Sequence, residues 1–213
     1  MSFKDQLVKY YNFSQQEWEI TIEYYKPMKL AAKKYFVEKG KVSKKLAVVL
    51  KGLLRTFEFD DNGNEVTKNF HEPGTVVISS ESFNFQKPAL ENIIAIDDCE
   101  LLVITYEDAQ KLYERVPKWP IICKDVAEFI NKELAERLKS FQTQSATERY
   151  HQFCERHALT CQKATIGQIA SYLGIDIATL SRIRKKASLT DFLTFIKKPI
   201  DKHPVLLYQK QVL

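Results

Sequence analysis

The spacing of apolar positions changes three times along this chain, and each change predicts a different kind of element. From Gln16 to Tyr25, Trp18, Ile20, Ile22, Tyr24 and Tyr25 stand among acids, which predicts that residues 1–26 are largely helical, with Pro27 ending the run. From Met28 to Tyr106 the pattern shortens. β-rich runs at 46–59, 65–70, 74–79, 92–96 and 100–106 are separated by turn residues. Asp60-Asp61-Asn62-Gly63-Asn64 predicts a hairpin, because Asn-Gly accepts the positive φ of a tight reverse turn. Gly40, Gly52 and Pro73-Gly74 mark further corners. Short strands at roughly ten-residue spacing predict a β-barrel or jelly-roll-like domain.

Helical spacing returns at Tyr106 and, after Pro117 and Pro120, continues to about Thr143. There Cys123, Ala127, Ile130, Leu134 and Phe141 follow an alternation of four and three, interrupted by Arg137, with Trp119, Ile122, Val126 and Phe129 flanking it. Two apolar stripes on one helix let it pack both on its own domain and on a partner helix. The candidate seam is Ile122, Cys123, Val126, Ala127, Ile130 and Leu134. The alternative is one wide stripe buried within the monomer.

The third change is the most informative. In Ala164–Lys186, Ile166, Ile169 and Ala170 form one stripe, and Ile177, Leu180 and Ile183 begin another. Leu173-Gly174-Ile175 makes the corner between them, where glycine tolerates a left-handed backbone. The second helix closes on Arg182, Arg184, Lys185 and Lys186. An amphipathic helix with hydroxyls and cations outside is what a helix-turn-helix lays into a DNA major groove. An ordinary helical hairpin with a solvated basic end is the plainer reading.

Charge sharpens that picture. The formal net charge is +5, and residues 144–213 hold 11 Lys+Arg against 5 Asp+Glu, whereas 1–143 hold 21 against 22. The basic excess lies wholly in the part with the helix pair, as expected where one domain meets a polyanion. No apolar run approaches the roughly 18 residues of a membrane span, and the charged start lacks a signal-peptide core; a cytoplasmic location is expected. Cys99, Cys123, Cys154 and Cys161 form no C-x-x-C pair, so they read as reduced, hydrophobic thiols and not as a metal site. Of His71, His151, His157 and His203 only His71 lies in the barrel, and beside its turn it reads as a surface residue. That argues against a cupin-like metalloenzyme. With no phosphate loop or nucleophile motif, neither enzyme activity nor a cofactor is expected.

Barrel, long helix and helix-turn-helix in this order resemble the Crp/Fnr family of bacterial transcription regulators. Phe36–Val77 looks like that family's β-roll core, with Gly40 after the first strand, Val49-Leu50-Lys51-Gly52 at a usual turn, the Asp61-Asn62-Gly63 hairpin and Pro73-Gly74 before the ligand cassette. Asp98–Ile104 fits the last strand, and Ala146–Tyr150 with 164–186 is similar to the DNA-binding end. The resemblance covers about residues 12–187. It implies an α+β fold: a β-roll (double-stranded β-helix) with an N-terminal helix over 1–105, a dimerisation helix over 106–143 and a helix-turn-helix domain over 144–187. Residues 188–213, with helix-like SLTDFLTFIKK and strand-like Pro204–Tyr208, have no counterpart.

The departures matter. Cyclic-nucleotide binders of the family carry Gly-Glu at the cassette entrance and Arg-Ser before the next strand, the glutamate holding ribose and the arginine the cyclic phosphate. Here the stretches read Gly74–Glu81 and Lys87–Asn92, with neither motif, and Glu91 stands near the phosphate's place. A cyclic-nucleotide site is therefore expected to be lost, since a buried phosphate without a matched cation is costly. Ser79, Ser80, Lys87, Leu90 and Glu91 remain as candidates for another effector. In the reading helix the family's early Arg-Glu pair is replaced by Ile177-Ala178, while Arg182 keeps the later arginine position. Thr179, Ser181 and Arg182 are the expected base-edge contacts. Arg184, Lys185 and Lys186, with Thr165 and Gln168, are the expected phosphate contacts. The expected partners are double-stranded DNA, a second copy, an unidentified small-molecule effector and, for an activator, RNA polymerase. The alternative is a small-molecule-binding or protein-interaction module with a degenerate DNA-binding domain.

Overall fold

A computed structural model describes residues 3–186, so the tail segments named above lie outside the described residues. Helices α1 (Phe3–Tyr11) and α2 (Gln15–Tyr24) precede the strands. Ser14 starts α2 with a reciprocal cap: its hydroxyl accepts from Glu17 N (3.1 Å) while its own N–H donates to the Glu17 carboxylate (2.8 Å). The chain leaves α2 at Tyr25, and Pro27 falls inside β1 (Lys26–Leu30). That position is tolerated because β1 is an edge strand.

The strands build two four-stranded antiparallel sheets. One runs β1, β8 (Cys99–Thr105), β3 (Lys45–Lys51), β6 (Val76–Val77). The other runs β2 (Tyr35–Val37), β7 (Asn92–Ala95), β4 (Leu54–Phe59), β5 (Glu65–His71). Between the sheets lie Phe36, Val49, Leu54, Val77, Ile93 and Leu101, the inward positions of the period-two pattern. The β4–β5 hairpin turns where Asn62-Gly63 stands: Gly63 has φ +80° and the Asp60 carboxylate accepts from Asn62 N and Asn64 N. The fold is therefore α+β with a β-roll, and a short α3 (Ser80–Phe85) lies between β6 and β7.

Helices α4 (Tyr106–Arg115) and α5 (Trp119–Thr143) follow. The start of α5 closes a second core, in which Leu7, Phe13, Tyr25, Leu112, Trp119 and Ile122 pack together. A third core joins roll to C-terminal helices: Leu53 and Phe70 of the roll pack with Tyr150, Phe153, Ile169, Leu173, Leu180 and Ile183. The last six come from α6 (Ala146–Arg156), α8 (Ile166–Leu173) and α9 (Ile177–Lys186), and α7 (Ala158–Lys163) adds Cys161; α6 is opened by a second reciprocal cap, Ser145 with Glu148.

Two sequence expectations are corrected. Cys154 and Cys161 are not reduced thiols but a disulfide, with Cα atoms 5.8 Å apart. The break between α6 and α7 at His157 folds the two residues onto the same buried side, a closeness that spacing alone does not reveal. His71 is not a surface residue. It ends β5 pointing inward, where its ring nitrogens find Thr56 Oγ1 (2.8 Å) and the Val76 carbonyl (3.2 Å). Burial lowers its pKa to about 4, so it is neutral near pH 7.

Candidate nucleic-acid interface and effector region

Local chemistry fixes the α8–α9 pair before any packing is considered. Thr165 opens α8 with a third reciprocal cap: its hydroxyl accepts from Gln168 N (3.3 Å), and its N–H donates to Gln168 Oε1 (3.0 Å). Two of the five residues expected on DNA phosphates thus also set the first turn, and the Thr-x-x-Gln spacing was a readable signal for that role. Gly174 ends α8 in the left-handed region (φ +62°, ψ +42°), and Ile175 N–H closes onto Ala170 O at 3.1 Å. Asp176 then starts α9, accepting from Thr179 N (2.7 Å) and from the Thr179 hydroxyl (2.6 Å). Those bonds hold the Asp176 carboxyl below its ordinary pKa.

Leu180 and Ile183 turn inward, and Ala178, Arg182, Lys185 and Lys186 are exposed on the outer face, with Ser181 and Arg184 half-buried beside them. Of the eight expected DNA contacts, the five from Ser181 to Lys186 therefore lie on one helix and Thr165 and Gln168 at the N-terminus of its neighbour. Thr179 differs, since its hydroxyl proton is committed to Asp176, which leaves the oxygen as an acceptor and the methyl for apolar contact. Asp176 is the only acid between Ala164 and Lys186, so this surface is electropositive.

The effector region is more closed. Gly74 (φ +93°) donates to Val49 O, and Ser79, at 1% exposure, precedes α3. Ser80, Lys87 and Leu90 are exposed, and Glu91 is half-buried. The 86–91 loop is tied to the 38–43 loop by Gly40 N–H to Ala89 O (2.8 Å) and Ala89 N–H to Lys41 O (2.9 Å). Clefts of about 280 Å³, along 35–45, and about 300 Å³, between α5, α6 and the end of α8, are lined by other residues than these five candidates. Arg55 is the only arginine before Arg115. It is buried, paired with Glu65 and bonded to Thr67 Oγ1, with its guanidinium 4.4 Å from the Phe57 ring centre. Residues 74–92 hold no arginine, and Arg55 is committed to Glu65, Thr67 and Phe57.

On α5, Ile122 is 4% exposed and Cys123 half-buried, both within the chain's own second core. Burial pushes the Cys123 thiol pKa up. Val126 and Ile130 are half-buried, and Ala127, Leu134 and Leu138 are exposed. The apolar surface left for a partner thus runs from Ala127 to Leu138, one turn further along than the expected seam. Phe141 turns back against Gly174 instead. No helix is long and apolar enough to cross a membrane, and no cluster of His, Cys, Asp and Glu suited to a metal occurs, both among the described residues.

Residues 27–116 match the family model described as cyclic nucleotide-binding domain. No curated protein matches the chain. Among solved structures, FixK2 from Bradyrhizobium japonicum is similar at TM-score 0.66 and 14% identity, over 76% of this chain and 84% of that one. A putative Crp/Fnr-family transcriptional regulator from Eubacterium rectale is similar at TM-score 0.64 and 14% identity, over 87% and 88%. The c-di-GMP responsive global regulator CLP from Xanthomonas campestris is similar at TM-score 0.60 and 17% identity, over 81% and 91%. The chain therefore carries a cyclic nucleotide-binding-type domain over 27–116, within a fold that it shares with Crp/Fnr-type regulators.

Proposed function

We propose that this protein is a non-enzymatic, dimeric, DNA-binding transcription regulator of the Crp/Fnr type. In it the β-roll of 1–105 senses, the helical segment of 106–143 pairs, and the helix pair within 144–187 reads duplex DNA. The observation that carries the reading is the outer face of α9: Arg182, Lys185 and Lys186 exposed on a short helix that a left-handed glycine and an aspartate cap set at a fixed angle to α8. Arg182 bonds a guanine edge; Arg184, Lys185 and Lys186, with the α8 N-terminus at Thr165, meet phosphates. Two copies joined through Ala127, Ile130, Leu134 and Leu138 would present two such helices to a palindromic site. The protein works in the cytoplasm, and its effector is a small molecule other than a cyclic nucleotide, since the cassette lacks a phosphate-binding arginine.

Fluorescence anisotropy on random duplex tests the DNA reading. With about six to ten phosphate contacts per dimer, affinity falls roughly a thousandfold or more between 50 and 200 mM salt. Lys185→Ala weakens all sequences alike and lowers the salt slope by about two, one contact from each copy, whereas Arg182→Ala removes about 1–3 kcal/mol of discrimination at one base pair per half-site. Absence of binding at 50 mM, or binding indifferent to salt, overturns it. Calorimetry with cyclic AMP and cyclic GMP is expected to give no isotherm in the micromolar range, and a saturable one would overturn the effector reading.

A further inference from the structure

Roll, long helix and helix pair meet at one side chain. Arg137, on α5, donates through Nη1 to the Lys68 carbonyl of β5 (2.7 Å) and through Nη2 to the Tyr172 carbonyl in the last turn of α8 (2.7 Å). Its guanidinium lies 4.0 Å from the Tyr172 ring centre and 5.4 Å from that of Phe141. The Tyr172 carbonyl is one of the orphan acceptors at a helix C-terminus, where a cation also complements the helix dipole. Arg149, from α6, reaches the neighbouring Leu173 carbonyl (3.1 Å) but makes no bond to the roll. Beside the Arg137 contact, Thr67 N–H donates to Ser171 Oγ (2.9 Å), a second stitch between β5 and α8. The Phe141 ring, one turn along α5, fills the space against Gly174 at the corner of the helix pair. Two carbonyls on different elements and a ring face demand a planar fork with several donors, which arginine has and lysine lacks. The buried Nε of Arg137 has no partner, so the side chain is held there at a cost that the other contacts offset.

We propose that Arg137 is the positioning residue that couples the roll to the reading helices. It fixes strand β5 and the α8–α9 corner to the same point of α5, so that a shift of the roll at β5 is carried to α9. The coupling to DNA rests on the reading of α8–α9 proposed above; the coupling between β5 and α8 does not. Without Arg137 the pair samples several orientations, and DNA must restrict them on binding.

Hydrogen exchange of the full chain, followed by mass spectrometry, tests both parts. In Arg137→Met, amides of 65–71 and of 170–176 exchange about tenfold faster or more, while those of β3 and β8 keep their rates. Arg149→Met speeds 170–176 alone, which separates coupling from simple loosening of the α8 end. Should Arg137→Met fail to fold, Arg137→Lys keeps the charge but loses the fork, and the same two segments speed up by a smaller factor. Duplex affinity of the Arg137 variant falls about tenfold at both 50 and 200 mM salt with its salt slope unaltered, since no phosphate contact is lost. Unchanged exchange in 65–71 overturns the coupling whatever happens to DNA. If the wild type binds no duplex, the DNA reading falls, and the exchange result still decides the role of Arg137.

Discussion

Two glycines of α8 and its cap, Gly167 and Gly174, should respond to alanine with opposite signs. Gly174 adopts φ +62°, and a Cβ there would stand 3.0 Å from Phe141 Cε1 and 3.6 Å from two more ring carbons. The left-handed conformation costs an L-residue about 1–2 kcal/mol. The ring can retreat only by leaving its place between the Arg137 and Arg149 guanidinium groups, each 5.4 Å from its centre. An off-rotamer shift of that kind adds about 0.5–1.5 kcal/mol, so Gly174→Ala should destabilise by about 2 kcal/mol. Gly167 is different. It lies within α8, and its added Cβ would meet only Ile177 Cδ1, at an ordinary 3.6 Å. Gly167→Ala should therefore stabilise by about 0.5–1 kcal/mol through helix propensity. Urea unfolding followed by circular dichroism reads both. Thermal midpoints should fall by roughly 4–8 °C for Gly174→Ala and rise by a few degrees for Gly167→Ala, using the usual few degrees per kcal/mol for a chain of this size. Gly174→Asn separates the two costs of the corner, since asparagine tolerates the backbone but carries the same Cβ. A Gly174→Ala protein within about 0.5 kcal/mol of wild type would refute both the left-handed corner and its seat on Phe141.

Reducing the Cys154–Cys161 disulfide, or replacing both cysteines by serine, should cost about 2.5 kcal/mol from the short loop it closes, seen as a lower urea midpoint in the presence of a phosphine reductant; equal midpoints with and without reductant would refute the bond. Because His71 holds its folded pKa near 4, below the ordinary 6.5, its contribution is fully present above pH 6.5 and is lost as pH falls towards 4. Stability should fall by roughly 3 kcal/mol across that window through this residue, and His71→Asn should flatten the pH dependence of the unfolding midpoint. Leu134 is 55% exposed, so Leu134→Glu leaves the fold intact but sets like charges against each other in a paired seam. Sedimentation should show a monomer where the wild type is a dimer, and a wild type already monomeric at about 50 µM, well above what a standard-sized interface requires, would refute the pairing.

What was legible in the sequence is what local chemistry decides. Strand runs, the Asn62-Gly63 hairpin, the break before α5 and the Gly174 corner all follow from periodicity and from the φ preferences of single residues. The capping pairs Ser14 with Glu17, Ser145 with Glu148 and Thr165 with Gln168 were equally readable, because three-residue spacing states them outright. What could not be read depends on contacts far along the chain. The burial of His71 requires Thr56, fifteen residues away across a bulged ladder, as a partner. The disulfide requires the α6–α7 corner. Arg137 looks like an interruption of an apolar stripe until α5 reverses at Gln144-Ser145 and brings α8 alongside. Phe141 fits the four-three spacing of a seam yet rests its ring against Gly174 for the same reason. Of the candidate site residues, those on α9 were found because one helix face gathers them. The cassette candidates stand where the family's motif is absent, and they stay divided between the start of α3 (Ser79, Ser80) and the segment after it (Lys87, Leu90, Glu91).

Strand β5 is the last in its sheet, so one side of it offers unpaired backbone groups. Those groups are answered by side chains of the helices: Ser171 takes the Thr67 N–H and donates to Glu65 O at 3.4 Å, and Arg137 takes the Lys68 carbonyl. An uncovered edge of this kind is a template for strand addition by another molecule. Swinging the helix pair away from the roll would thus do more than move the basic face. It would strip the cover from β5 and from Leu53 and Phe70 beneath it, leaving a sticky strand beside an apolar patch. Solubility and the position of the helices are tied together, and a roll cut off after α5 should aggregate even though its own two sheets are complete.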